Sequence, residues 1–213
     1  MPIAITGGRP AALLVEEPVK QSIRVRIRAE RLRRSPYRRD VAARAIASLL
    51  LELPEIAAAS CVAAYVSTAT APGTNPLRQA LRARRTRVLL PVLLGDGHLD
   101  WAVDDGVIPL GPDVDGPEPT GALLGLEGVG QAQAVIVPAL AVDTLGNRLG
   151  QGAGFYDRTL RMIDASVPVF ALLYESEVLD AAIEPLPVEP HDVPVDAVVT
   201  PHRCLRLPPR RRR

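Results

Sequence analysis

At 213 residues and 47% apolar composition, the chain has the size of one ordinary α/β domain and enough apolar material for a sizeable core. That excludes a disordered chain and a disulfide mini-scaffold, and with aromatic residues at only 3% the core must be built from Ala, Val, Leu and Ile rather than around a broad aromatic platform. The balance of 25 basic against 24 acidic residues, a formal charge of +1, argues against a surface devoted to nucleic acid or membrane.

Residues 1–19, with Gly7, Gly8, Pro10 and Pro18, show no sustained period and are expected to form a flexible leader. The opening Met1-Pro2-Ile3-Ala4-Ile5 has no basic segment followed by a long apolar one, and no apolar run reaches the roughly 18 to 20 residues of a membrane span. Cys61 and Cys204 are too few and too far apart for a disulfide framework or a zinc site. A cytoplasmic, reduced protein is the expectation.

From Lys20 to Arg34 apolar positions are sparse (Ile23, Ile27, Leu32), which predicts a solvated helix that covers little core and turns its basic face to water or to an anion. Lys20 is the only lysine among the 25 basic residues, so where every other cation is arginine it suggests a site suited to a compact ammonium. Ser35-Pro36 reads as an N-cap and first helical position, opening a better amphipathic helix that stops near Pro54. Cys61–Val66, Val88–Val92, Ala134–Leu140, Val167–Leu173 and Ala197–Val199 are nearly continuous apolar runs, the pattern of buried parallel strands. Helices are predicted over Asn75–Arg85, Tyr156–Ile163 and Glu175–Ala182, with an added edge strand at Leu99–Val103 and a Gly/Pro/Asp-rich excursion at Val107–Gly130. Together these describe a single three-layer α/β/α domain over residues 20–207 with a mainly parallel sheet, followed by a flexible basic tail at 208–213.

The densest signal runs from Val137 to Arg158, where a buried strand leads into Gly150, Gly152 and Gly154 and then a helix, with Arg148 before the glycines and Asp157 after them. A cation and a carboxylate bracketing glycines suit a triphosphate with magnesium, and a loop that merely closes the sheet reads the same way. The dinucleotide fingerprint is excluded by the glycine spacing, and a Walker loop by the lack of a following lysine.

This segment resembles the signature of the 5-formyltetrahydrofolate cyclo-ligase (5,10-methenyltetrahydrofolate synthetase) family. The likeness extends from Lys20-x-x-x-Arg24 through Tyr65-Val66-Ser67, Leu90-Pro91-Val92, Glu118-Pro119 and His191-Asp192 to Thr200-Pro201. It implies a NagB/CoA-transferase-like fold and a cytoplasmic monomer that binds 5-formyltetrahydrofolate and ATP, with no nucleic acid or membrane partner. The implied reaction is an ATP- and Mg2+-dependent cyclisation to 5,10-methenyltetrahydrofolate, releasing ADP and phosphate. The resemblance assigns ATP binding to Lys20, Gln21, Ser22, Ile23 and Arg24 and to Arg148, Leu149, Gly150, Gln151, Gly152, Ala153, Gly154, Phe155 and Tyr156, with Arg148 and Tyr156 also catalytic. It assigns folate to Val66 and the turn through Ala71 and to residues 151–155, and magnesium to Asp157 and Asp192. His98, His191 and His202 are expected to be structural or solvent-facing, since none has an obvious Ser or Cys partner.

The chain departs from the family pattern at four places. Ala71 stands where a pterin-binding glutamate is usual, Gln151 where Arg or Tyr is common, Ala153 where Gly or Lys is common, and Phe155 where Tyr is common. These changes keep open a divergent relative that binds ATP with weak or no folate turnover. Asp104, Asp105 and Glu118 are the candidates to replace the missing carboxylate. A nucleic-acid module based on Arg24–Arg44 is disfavoured because only Tyr37 is available there for base stacking.

Overall fold

The computed structural model describes residues 11–108 and 119–209. In chain order its elements are α1 (Ala11–Leu32), α2 (Pro36–Glu52), α3 (Pro54–Ala57), β1 (Cys61–Ala63), α4 (Asn75–Ala83), β2 (Arg87–Leu93), β3 (Leu99–Val103), β4 (Ala134–Pro138), β5 (Ala141–Asp143), β6 (Arg148–Leu149), α5 (Phe155–Leu160), β7 (Val169–Leu172), β8 (Val178–Leu179), β9 (Ala197–Val199) and β10 (Cys204–Arg206).

The five apolar runs form the parallel centre of a seven-stranded sheet ordered β10-β9-β7-β4-β1-β2-β3, with β3 and β10 as antiparallel edges. Successive side chains alternate between two cores. Val62, Ala64, Val88, Leu90, Ile136, Phe170 and Leu172 pack with Ile46, Leu50, Ile56, Leu77 and Leu81 of the helices. Ala63, Leu89, Val135, Val137, Val169 and Ala171 pack on the other face with Trp101, Val129, Leu160 and Ile163. Burial on both faces is why these strands read as unbroken apolar runs. Among the parallel strands the chain moves from β1 outward to β2, then back past β1 to β4, β7 and β9. The order therefore reverses between β1 and β4, and in open α/β sheets the crevice beyond the C-terminal ends of such strands is where ligands bind.

Helix α2 begins as read: Ser35 Oγ accepts the Arg38 N–H at 3.3 Å and Pro36 occupies the first turn. Four expectations are corrected. Residues 11–19, placed in the leader, belong to α1; Pro18 is carried inside the helix, whose φ it already satisfies, at the loss of one backbone donor. Residues 1–10 and 210–213 of the leader and tail lie outside the described residues.

Second, α1 is no solvated cover. Ile23 and Ile27 are buried with Leu140, Ala141, Leu149, Leu179 and Leu186 in a third core, while Leu32 is exposed. Lys20, Ile23, Arg24, Ile27 and Arg31 recur at steps of three and four, so the buried stripe of the helix is half cationic.

Third, the predicted helix at Glu175–Ala182 is one 3-10 turn, Glu175–Glu177, followed by β8. Glu177 Oε2 accepts the Tyr174 N–H at 2.9 Å and Val178 pairs with Val142, so the backbone is committed to a turn and a strand before a helix can propagate. Fourth, the segment after β4 does not lead straight into the glycine-rich turn but first forms the β5–β6 hairpin of a small sheet ordered β6-β5-β8. Asp143, fully buried, makes this turn: its carboxylate accepts the N–H groups of Leu145, Asn147 and Leu186 and the Asn147 amide.

Candidate active site

Beyond the C-terminal ends of β1 and β4 lies a pocket of about 840 Å³. Tyr65, Val66, Thr68 and Ala71 after β1, Pro91 and Leu93 of β2 and Leu99 of β3 form one wall. Lys20, Arg24 and Arg31 of α1, Arg148 of β6, the loop 150–154, Asp157 of α5 and the segment containing Glu189 and Asp192 form the other. Pro138, Ala139 and Tyr156 also line it. The small sheet gives the second wall its shape, because α1 packs on it through Ile23 and Ile27 and so carries Lys20 and Arg24 to the glycine-rich loop.

The cations here are paired with carboxylates, those of Lys20 distant in sequence and those of Arg24 and Arg148 within ten residues. Lys20 Nζ donates to Asp192 Oδ2 at 2.9 Å and to Glu189 Oε1 at 3.3 Å. Burial acts to lower the pKa of its ammonium, but the hydrogen bonds and attraction of the two carboxylates outweigh this and hold it above its ordinary value. Arg24 Nε donates to the Gly150 carbonyl at 3.1 Å while its Nη1 pairs with Glu17 at 2.7 Å. Arg148 Nη2 donates to Asp157 Oδ1 at 2.7 Å, and its buried Nε has no partner among the described residues. Asp157 Oδ1 also accepts the Val193 N–H at 3.2 Å, and Asp192 Oδ2 accepts the Glu189 N–H at 2.8 Å, so the two aspartates lie on adjoining backbone.

The glycines make room for arginines. A Cβ on Gly150 would lie 2.8 Å from Arg148 Nη1, and Gly152, at φ +112°, faces the Arg24 guanidinium. Beneath the pocket Arg31 makes a two-point pair with Glu177, Nε to Oε1 and Nη2 to Oε2 both at 2.7 Å, and Nη2 donates to the Ala139 carbonyl at 2.7 Å. Burial pushes the phenols of Tyr65 and Tyr156 well above their ordinary range, so both remain neutral donors.

Of the residues expected at the site, Lys20, Arg24, Val66, Ala71, Arg148, Leu149, 150–154, Phe155, Tyr156, Asp157 and Asp192 all line this pocket. Ile23 is instead in the core beside it, and Gln21 and Ser22 are exposed on α1, because only positions three or four apart share a helix face. His191 is solvent-facing as expected, its side chain 54% exposed, and it also lines the pocket, with ring nitrogens 3.4 Å from Glu189 and 3.7 Å from Asp192. Asp104 is no substitute for a carboxylate at position 71, since it is spent on Arg78 and Arg82. Glu118 lies outside the described residues. Glu189 and Glu177 were not singled out from sequence, and Arg31 only as part of the disfavoured nucleic-acid stretch; the helical spacing 20-24-27-31 was the available signal for Arg31 at this site.

The model of the 5-formyltetrahydrofolate cyclo-ligase family matches residues 16–201. The chain belongs to that family. A 5-formyltetrahydrofolate cyclo-ligase of Mycolicibacterium smegmatis is 40% identical over 147 residues, covering 67% of this chain and 74% of that protein. One from Escherichia coli K12 is 29% identical over 187 residues, covering 83% and 97%. The solved structure of Aquifex aeolicus 5,10-methenyltetrahydrofolate synthetase superposes with a TM-score of 0.74 at 26% identity, covering 89% of this chain and 93% of that one. In this member of the cyclo-ligase family, a family of ligases, Ala71 sits in the neutral wall and its carbonyl accepts the Tyr174 hydroxyl at 3.3 Å. No helix among the described residues is long and apolar enough to cross a membrane.

Proposed function

We propose that this chain catalyses the ATP-dependent cyclisation of 5-formyltetrahydrofolate to 5,10-methenyltetrahydrofolate, with ADP and phosphate as the other products. The observation that carries this reading is a pocket with one cation-rich wall and one neutral wall at the switch point of the sheet, in a chain of the cyclo-ligase family. Lys20, Arg24 and Arg148 converge beside the glycine-rich loop, as the oxygens of a triphosphate need. The pterin would occupy the wall of Tyr65, Val66 and Ala71.

The formyl oxygen attacks the γ-phosphorus and ADP departs; the substrate's N10 then attacks the activated carbon, and the carbon–oxygen bond breaks as phosphate leaves with the N10 proton lost. The nucleophiles belong to the substrate, so the protein's part is positioning and charge neutralisation. Cys61 lies in β1 and Cys204 in β10, and neither lines the pocket. Tyr156, kept protonated by burial, serves as a hydrogen-bond donor and not as a base. Arg148, with a buried unpaired Nε, has a donor in reserve for a phosphate oxygen.

The donor set fits magnesium: Asp157, whose carboxylate is held by the N–H of Val193, and the neighbouring Asp192 would offer hard oxygen ligands to an ion that completes its shell with phosphate and water. When bound, Mg2+ would neutralise charge on the triphosphate, and the two carboxylates would exchange their present cations for it.

The test is the appearance of the methenyl chromophore when protein, 5-formyltetrahydrofolate, Mg2+ and ATP are mixed, with Asp157→Ala as control. Product with the unaltered protein and little with the variant is expected. ATP binding by calorimetry without product would favour the second reading, a nucleotide-binding relative with another substrate, for which Ala71 in the neutral wall is the specific motive.

A further inference from the structure

The cations on the pocket differ in one respect. Lys20, Arg24, Arg31 and Arg148 each face a carboxylate within the protein. At the rim, two guanidiniums beside the glycine-rich loop form no ion pair among the described residues and are held by neutral oxygens instead. Arg158 donates through Nε and Nη2 to the Gly97 carbonyl, the Nε bond at 2.7 Å, and through Nη2 to the Ala153 carbonyl at 3.0 Å, bolting the β2–β3 turn to the loop. Arg28 reaches across from α1 to the side-chain oxygen of Gln151, with Nη2 at 2.6 Å and Nε at 3.2 Å. Gln151 itself lines the pocket mouth.

A carboxylate or a neutral amide oxygen at 151 would orient the guanidinium equally well, but only the amide leaves its charge uncompensated. The clasp therefore fixes a full positive charge at the mouth with its rotamer freedom already lost, and Nη1 makes no bond to the described residues. Such a group is suited to a carboxylate arriving from solvent as part of a ligand that reaches into the pocket.

We propose that Arg28 is a specificity-determining residue that recognises the glutamate carboxylates of the folate substrate at the rim of the pocket, with Gln151 as its positioning partner. The assignment rests on the cyclo-ligase reading above and adds to it the group that distinguishes a folate from its pteroate core. Arg158, whose Nε and Nη2 tie two carbonyls together and whose guanidinium lies over the Phe155 ring, fixes the loop and takes no part in this recognition.

The experiment compares 5-formyltetrahydrofolate with 5-formyltetrahydropteroate, which lacks the glutamate, in the unaltered protein and in Arg28→Ala, Arg28→Lys and Arg28→Ala/Gln151→Arg. For Arg28→Ala we expect KM for the folate to rise about tenfold, the size of one charge-assisted hydrogen bond, with kcat and the KM values for ATP and the pteroate unchanged. Arg28→Lys should keep most of the discrimination, and Gln151→Arg should restore it to the alanine variant by supplying charge from the loop. An equal change for both compounds, or a rise in KM for ATP, would make Arg28 a loop-holding residue and overturn the assignment. Turnover of neither compound by the unaltered protein would overturn the functional reading itself, and this assignment with it.

Discussion

The wall of the pocket built by α1, the 150–154 loop and residues 189–192 carries Glu17, Lys20, Arg24, Arg31, Arg148, Asp157, Glu189 and Asp192, whereas Tyr65, Val66, Thr68, Ala71, Pro91, Leu93 and Leu99 opposite bring no charge at all. On the first wall each cation already has a carboxylate, so under the proposed function a triphosphate would enter by exchange, taking the cations and leaving the released carboxylates to a metal ion. On the second wall the backbone is held by Tyr174 and Tyr65, whose hydroxyls donate to the Ala71 and Pro72 carbonyls, so the proposed pterin would be recognised there by shape. The contrast implies that substitutions on the charged wall act by stranding a buried charge, and those on the neutral wall by changing the fit of the substrate.

The largest effect is expected where the charged wall is most deeply buried. Arg31 and Glu177 side chains are 3% and 1% exposed, so Arg31→Ala or Glu177→Ala leaves the other charge stranded and should cost about 3–5 kcal/mol in urea unfolding. The Arg31→Ala/Glu177→Ala double variant should cost clearly less than the sum of the singles; strict additivity would show that the two do not act as a pair.

Next come Lys20→Ala and Arg148→Ala. Each removes a charge-assisted contact of about 1.5–3 kcal/mol, and KM for ATP should rise by roughly one to two orders of magnitude, with far-ultraviolet circular dichroism unchanged. Unaltered ATP affinity in both would sink the phosphate assignment. Because Lys20 is held above its ordinary value of 10.5, the stability it contributes is complete below that value and is lost as pH rises through the raised one. The thermal difference between the unaltered protein and Lys20→Met should therefore stay level across roughly pH 6 to 9 and shrink only in stronger alkali.

The smallest effect belongs to the neutral wall. Ala71→Glu introduces a carboxylate on the wall it shares with Val66 and Tyr65, and KM for 5-formyltetrahydrofolate should fall by up to about tenfold while KM for ATP stays constant. No gain would mean that the neutral wall has been rebuilt around Ala71.

Much of this architecture was legible without coordinates. The five apolar runs became the parallel strands β1, β2, β4, β7 and β9, and Leu99–Val103 became the antiparallel edge, because strands buried on both faces carry their signal in consecutive residues. The glycine-rich segment and Lys20-x-x-x-Arg24 also carried their identity locally. Where the reading failed, a distant partner overrode local preference: the predicted helix at Glu175 gave way because Glu177 and Val178 were claimed by Arg31 and β5, and α1 was read as solvated because its cations were counted as surface.

By itself, then, the sequence determined the layers of the fold, the position of the glycine-rich loop and which cations were candidates, since periodicity and motif spacing are properties of neighbouring residues. Only the tertiary structure decided how charge is neutralised. Lys20 meets Asp192 across 172 residues and Arg31 meets Glu177 across 146. Those pairings depend on the strand order and on α1 lying across the small sheet. A buried charge is tolerated only beside its partner, and that partner is chosen by the packing of elements far apart in the chain.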